Sequence, residues 1–212
     1  MKFDALIFDL DGTLWDSTET VCDVWNGAFS DMGLDFRVTA EDIRREMGKL
    51  LSVIMDDLAP GLSPEKQDEL YRRVCEAENR ILSECGGKLY PELERTLELL
   101  GKKYRLFIVS NCQQGYIEAF LAAHKLGRLF EGHLCHGDTN LPKSGTNRLL
   151  AERFGLKNPV YIGDTQGDLD AATEAGIPFI HAAYGFGTAN GGIGSAKSPS
   201  ELPILLSSAE EN

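Results

Sequence analysis

Short, uninterrupted apolar runs alternate with amphipathic stretches along most of this chain. Residues 5–9, Ala-Leu-Ile-Phe-Asp, have the continuity of a strand buried on both faces of a parallel sheet. Similar runs at 105–110, 159–164 and 177–181 predict three more strands, and 132–136 a weaker one. Between them, residues 91–103, 114–126, 145–154 and 168–175 carry helical patterning. Gly101, Gly155 and Gly176 stand where helix C-caps are expected. Strand–helix alternation of this kind predicts an α/β fold, a parallel sheet with helices on both faces.

The alternation is interrupted once. From residue 16 to residue 87 only helical signals occur. Asp16-Ser17 is placed to cap a helix through Val21, Val24, Trp25 and Phe29. Thr39 precedes an acidic first turn at Glu41 and Asp42. Ser63-Pro64-Glu65 opens a third helix with a capping serine and Pro at the first helical position; it runs through Leu70, Val74, Ala77 and Ile81. The expected organisation is a core of residues 1–15 and 88–212 with an all-α cap domain at 16–87. The hinges fall near Trp15-Asp16 and Gly86-Gly87. From Ser198 onward a final helical turn or two is expected.

Composition adds limits rather than detail. The 212 residues are 42% hydrophobic and 25% charged, which suits one compact domain carrying a modest insertion. No apolar run is long enough to span a bilayer, and the N-terminus lacks the layout of a signal peptide, so the expected location is cytoplasmic. The five cysteines show no CxxC spacing, and the four histidines no HExxH pattern; neither a disulfide framework nor a zinc site is expected. A net charge of −12 argues against nucleic acid and anionic membranes as partners. Binding an anion on such a chain requires a local cation, which a carboxylate-held metal would supply.

The candidate chemistry lies where the apolar runs end. Asp9 and Asp11, two residues apart just past the first strand, both reach the crevice at the carboxyl edge of a parallel sheet. Gly12 allows an unusual turn, and Thr13 is placed to bond its own loop. The run at 105–110 ends in Ser110-Asn111, and that at 159–164 in Asp164-Thr165, with Asp168 four residues on. Three polar endings converging on one crevice are a stronger signal than any one of them, each of which alone suits a helix cap.

These segments resemble, over nearly the whole chain, the phosphohydrolases of the haloacid dehalogenase superfamily. The motifs stand in order: Asp9-Leu10-Asp11-Gly12-Thr13-Leu14, Val109-Ser110-Asn111, Lys143, and Gly163-Asp164-Thr165-Gln166-Gly167-Asp168. Lys143 is followed by Ser144-Gly145, where the family lysine is often followed by Pro. The resemblance implies a Rossmann-like core with a type-one helical cap, as in the phosphoglycolate phosphatase and β-phosphoglucomutase branch. It implies Asp9 as nucleophile and Asp11 as general acid and base. It implies Mg²⁺ held by the Asp9 and Asp164 carboxylates and the Asp11 carbonyl. Ser110, Asn111 and Lys143 would bind the phosphoryl group, with Asp168 steering Lys143 or the metal's waters. Asp11 points away from the dehalogenases, which lack an acid there, and from the phosphonate-cleaving members, which use a cap lysine. Lys49 invites that last comparison and, with Arg45, is a candidate substrate contact. The expected substrate is a small phosphorylated metabolite, phosphoglycolate-like or a sugar phosphate. Alternatives are a β-phosphoglucomutase-like phosphomutase, disfavoured by Thr13, and a receiver-like phosphoacceptor domain, disfavoured by the cap.

Overall fold

The computed structural model describes residues 2–211; Met1 and Asn212, the ends of the expected core, lie outside the described residues. In chain order the elements are β1 (Ala5–Phe8), β2 (Trp15–Asp16), α1 (Thr18–Asp31), α2 (Ala40–Glu46), α3 (Leu51–Leu58), α4 (Pro64–Cys85) and β3 (Lys88–Leu89). There follow α5 (Leu93–Leu100), β4 (Arg105–Ser110), α6 (Tyr116–His124), β5 (Gly132–Cys135), α7 (His136–Thr139), α8 (Lys143–Phe154) and β6 (Pro159–Gly163). The chain finishes with α9 (Gln166–Ala175), β7 (Phe179–Ala182), β8 (Gly194–Ala196) and α10 (Leu202–Glu211).

Six strands form one sheet in the order β5-β4-β1-β6-β7-β8, every neighbouring pair parallel. The chain leaves β1 for β4 and β5 on one side, then returns to β6 on the other. This reversal opens a crevice at the carboxyl ends of β1, β4 and β6. Alternation along the strands divides the core. Leu6, Phe8, Leu106, Ile108, Val160 and Ile162 face one hydrophobic cluster. Ala5, Ile7, Phe107, Val109 and Tyr161 face the other, beneath α8 and α9. Each such fully buried side chain contributes about 1.5–3 kcal/mol.

The helical segment α1–α4 leaves the sheet edge through β2 and returns through β3. These two short strands pair antiparallel, Trp15 opposite Leu89 and Asp16 opposite Lys88, so both crossings run side by side. Gly87 permits that approach: a Cβ there would sit 2.8 Å from the Asp16 carbonyl and 2.9 Å from the Trp15 ring.

Several local expectations need correction. Helix α3 carries no capping residue and went unread in the sequence; its N-cap position is Leu50 and makes no side-chain bond. Ser17 holds the N-cap position of α1 without capping it. Asp16 does that work instead, its Oδ1 accepting from the Thr18 N–H at 3.0 Å and hydroxyl at 2.6 Å. Ser63 likewise makes no cap bond. Gly101 ends α5 in a right-handed conformation, unlike Gly155 and Gly176, which are left-handed. Helix α8 begins at Lys143 rather than at 145, directly after Pro142. No helix of the described residues is long and apolar enough to cross a membrane.

Candidate active site

The carboxyl ends of β1 and β6 bring together residues far apart in sequence. Lys143, from the first turn of α8, places its ammonium 2.8 Å from Asp9 Oδ1 and 2.6 Å from Asp168 Oδ1. All three side chains are buried. The other oxygen of Asp168 is also engaged. It accepts from the Thr165 N–H and hydroxyl, closing a capping box at the start of α9. Asp168 is thereby fixed by its own helix terminus and fixes Lys143 in turn.

Asp164 is held from a different direction. Its Oδ2 accepts from the backbone N–H groups of Phe186 (2.8 Å) and Gly187 (3.1 Å). Thr13 donates to Asp164 Oδ1 at 3.4 Å, not to its own loop as its position suggested. Two glycines make the fit possible. Gly12 has φ +81°, and a Cβ on it would meet Asp164 Oδ2 at 2.3 Å. A Cβ on Gly185 would meet the Gly12 carbonyl at 2.3 Å and Asp164 Cβ at 2.4 Å.

Carboxylate oxygens of Asp9, Asp164 and Asp168 lie within 4.8 Å of one another. Asp9 Oδ2 is buried and has no hydrogen-bond partner. Burial first, then Asp168, pushes the Asp9 carboxyl well above the usual range, although Lys143 pulls the other way. Burial, with Asp168 behind it, raises Asp164 to about 6. Burial opposes the charge on Lys143, but Asp168 and Asp9 outweigh it and hold the ammonium firmly protonated. Three buried carboxylates around one ammonium leave excess negative charge, and one of their oxygens lacks a partner. An oxygen-liganded divalent cation fits this donor set.

Asp11 sits apart from that cluster. Its Oδ1 accepts from Ser17 Oγ (2.7 Å), Trp15 Nε1 (2.9 Å) and Tyr116 Oη (3.1 Å). Burial raises its carboxyl, while those three donors restrain the rise. An oxygen accepting three hydrogen bonds has no room for a proton, so in the acid form the proton sits on Oδ2. Asp11, Ser110 and Asn111 line a cleft between the sheet edge and α1–α4.

Hydrogen bonds join α1–α4 and the loop after α2 to the segment after β4. Asn111 Nδ2 donates to the Gly48 carbonyl (2.8 Å), Gln113 Nε2 to Glu78 Oε2 (2.7 Å), and Asn79 Nδ2 to the Gln114 carbonyl (2.8 Å). Lys49 reaches the cleft but is paired with Glu46 and Asp57. Arg45 pairs with Asp42 on the surface. Cys112, half-buried at the cleft, lies beside Cys135, and burial pushes its thiol well above the ordinary range.

Ser17, Trp15, Tyr116 and the Gly185–Phe186–Gly187 turn were not read as site residues in the sequence. They touch the site through contacts across the fold, and only the closely spaced glycines after β7 gave any local sign.

The family model for haloacid dehalogenase-like hydrolases matches residues 6–182. A phosphoglycolate phosphatase of Synechococcus elongatus is 30% identical over 187 residues, covering 86% of this chain and 84% of the relative. One from Aliivibrio fischeri is 29% identical over 198 residues, covering 85% and 84%. The crystal structure of a predicted phosphoglycolate phosphatase from Haemophilus somnus superposes with a TM-score of 0.83 at 22% identity, covering 97% of this chain and 98% of that one. The chain belongs to the haloacid dehalogenase-like hydrolase family and is an enzyme of its phosphoglycolate phosphatase-like branch.

Proposed function

We propose that this protein is a Mg²⁺-dependent phosphatase that hydrolyses a small phosphorylated metabolite through a phosphoryl group carried on Asp9. The observation that carries the reading is the asymmetry of Asp9: Oδ1 is tied to Lys143, while Oδ2 is buried without a partner beside Asp164. Asp9 and Asp164 would hold the metal by their carboxylates and Asp11 by its main-chain carbonyl. The bound ion would offset the negative charge of both the substrate phosphate and the carboxylates.

The remaining work falls to the chain's own groups. Ser110, the Asn111 backbone N–H and Lys143 bind the phosphoryl oxygens and orient phosphorus towards Asp9. The Asp9 carboxylate forms a new O–P bond as the bond to the substrate alcohol breaks. Asp11 gives its Oδ2 proton to the departing alkoxide, and its raised carboxyl supports starting in the acid form. Asp11, now ionised, takes a proton from water as that water attacks phosphorus, freeing phosphate and restoring Asp9. Asp168 positions Lys143. Residues 16–87 act as the cap that excludes bulk water, with bonds such as Asn111 to Gly48 opening and closing during turnover.

The test is phosphate release from a panel of phosphomonoesters with Mg²⁺, wild type beside Asp9→Asn. Loss of turnover by at least about a thousandfold is expected. Undiminished turnover in the variant would overturn the assignment of Asp9.

A further inference from the structure

The cleft beside Asp11 has a second carboxylate in its wall. Glu78, on α4, is 3% exposed and lines the cleft with Asp11, Ser110 and Asn111. It is not a stray acid. Trp25 Nε1 donates to its Oε1 at 3.0 Å and Gln113 Nε2 to its Oε2 at 2.7 Å. Each oxygen therefore keeps one acceptor position, and the side chain cannot rotate away without breaking both bonds. The wall around it is apolar, formed by Val21, Ile43, Met47, Leu51 and Ile54. Lys49 is the one cation among the lining residues, and its ammonium is taken by Glu46 at 2.6 Å and Asp57 at 2.9 Å.

A leaving group that carries a carboxylate would meet Glu46, and Glu78 wherever it is ionised, with no free cation to receive it. A hydroxyl meets Glu78 well in either protonation state, because it both donates and accepts. An ammonium is favoured only by the ionised form. We propose that Glu78, oriented by Trp25 and Gln113, is the specificity-determining residue of the cleft and selects phosphate esters of uncharged, hydroxyl-bearing alcohols over those of hydroxy acids. The inference rests on the phosphatase reading for the identity of the phosphoryl end. It differs from that reading in naming what lies on the other side of the scissile bond.

The test uses binding, so that its failure is separable from a failure of catalysis. Full-length Asp9→Asn protein in Mg²⁺ buffer at about pH 8, where Glu78 is ionised, is titrated calorimetrically with glycerol 3-phosphate, 2-phosphoglycolate and ethanolamine phosphate. Glycerol 3-phosphate is expected to bind about tenfold more tightly than 2-phosphoglycolate, the scale set by one mismatched buried polar group. Adding Glu78→Ala should remove that preference. Adding Glu78→Gln should narrow it while leaving glycerol 3-phosphate affinity nearly unchanged, since Gln113 can flip its amide to accept from the new one. Equal or tighter binding of 2-phosphoglycolate, tightest binding of ethanolamine phosphate, a preference that survives both substitutions, or no binding of any ester would overturn the proposal. Whether the wild-type protein releases phosphate from glycerol 3-phosphate tests the phosphatase reading separately.

Discussion

The Tyr116 hydroxyl stands 3.1 Å from Asp11 Oδ1, reaching from the first residue of α6 to the loop after β1. Ser17 and Trp15 converge on the same oxygen, so Asp11 is oriented from three directions before any substrate arrives. Such preorganisation matters for a group that must first give a proton and then take one.

Tyr116→Phe removes one of the donors that restrain the rise of the Asp11 carboxyl. The carboxyl should move further up, so the ionised form needed for attack by water becomes scarcer at low pH. The expected outcome is an acid limb of the kcat profile displaced to higher pH, with activity near neutrality down by about tenfold. Stability should fall by only about 1 kcal/mol, the scale of one hydrogen bond. An unmoved pH profile would remove Tyr116 from the role of positioning Asp11.

The two glycines packed against Asp164 give a second expectation. Gly185→Ala would drive a Cβ to within 2.3 Å of the Gly12 carbonyl, so the turn that donates two N–H groups to Asp164 must shift. Activity should fall by about a hundredfold or more, because small displacements at a reacting centre are costly. Gly155→Ala is the control. Its φ of +64° strains the backbone for any other residue, a penalty that Gly185, which lies outside the left-handed region, does not carry, and nothing lies within 4 Å of the added carbon. That variant should lose about 1–2 kcal/mol of stability and keep its activity. Comparable activity losses in both would show that general destabilisation, not crowding of Asp164, is responsible.

The contrast between these glycines reflects what was legible in the chain. The parallel sheet and the placement of Asp9, Ser110 and Asp164 could be read because apolar runs end in polar residues at their carboxyl edges, whereas Lys143, at the start of α8, followed only from the family resemblance. Asp168, inside α9, likewise owed its expected role to the resemblance. What supports them was not legible. Tyr116, Ser17 and the 185–187 turn act through contacts that depend on sheet order, which no local pattern encodes. Helix α3 escaped notice because it is short and begins at Leu50 with no capping side chain. In the Asp16-Ser17 pair it is Asp16 that caps α1, because the Ser17 hydroxyl is taken by Asp11.

Metal binding should stabilise the folded protein by mass action. At a Mg²⁺ concentration about one hundred times the dissociation constant, the gain is about 2.7 kcal/mol, seen as a rise in melting temperature. Asp164→Asn should abolish that rise, and chelation should abolish wild-type activity. A Mg²⁺-dependent rise that survives in Asp164→Asn would move the metal away from Asp164.

Glu78 offers a test of the fold's electrostatics that needs no substrate. Burial raises its carboxyl from 4.5 to about 7, even though Gln113 and Trp25 pull it down. At low pH, below about 4.5, both folded and unfolded chains carry the proton and the contribution to stability is complete. As pH rises from about 4.5 to about 7, the unfolded chain releases the proton while the folded chain retains it, so stability falls. Above about 7 both are ionised and the loss, on the order of 3 kcal/mol, is finished. Glu78→Gln cannot titrate and should lack this component. Asp9, Asp11 and Asp164 titrate in both proteins, so they cancel in the difference between the two denaturation curves measured with a metal chelator present. That difference should grow in favour of Glu78→Gln across the window and then level off. A difference that stays constant from about pH 4.5 to about pH 7 would mean that Glu78 is ionised at its place beside the cleft, with its charge already compensated by its neighbours.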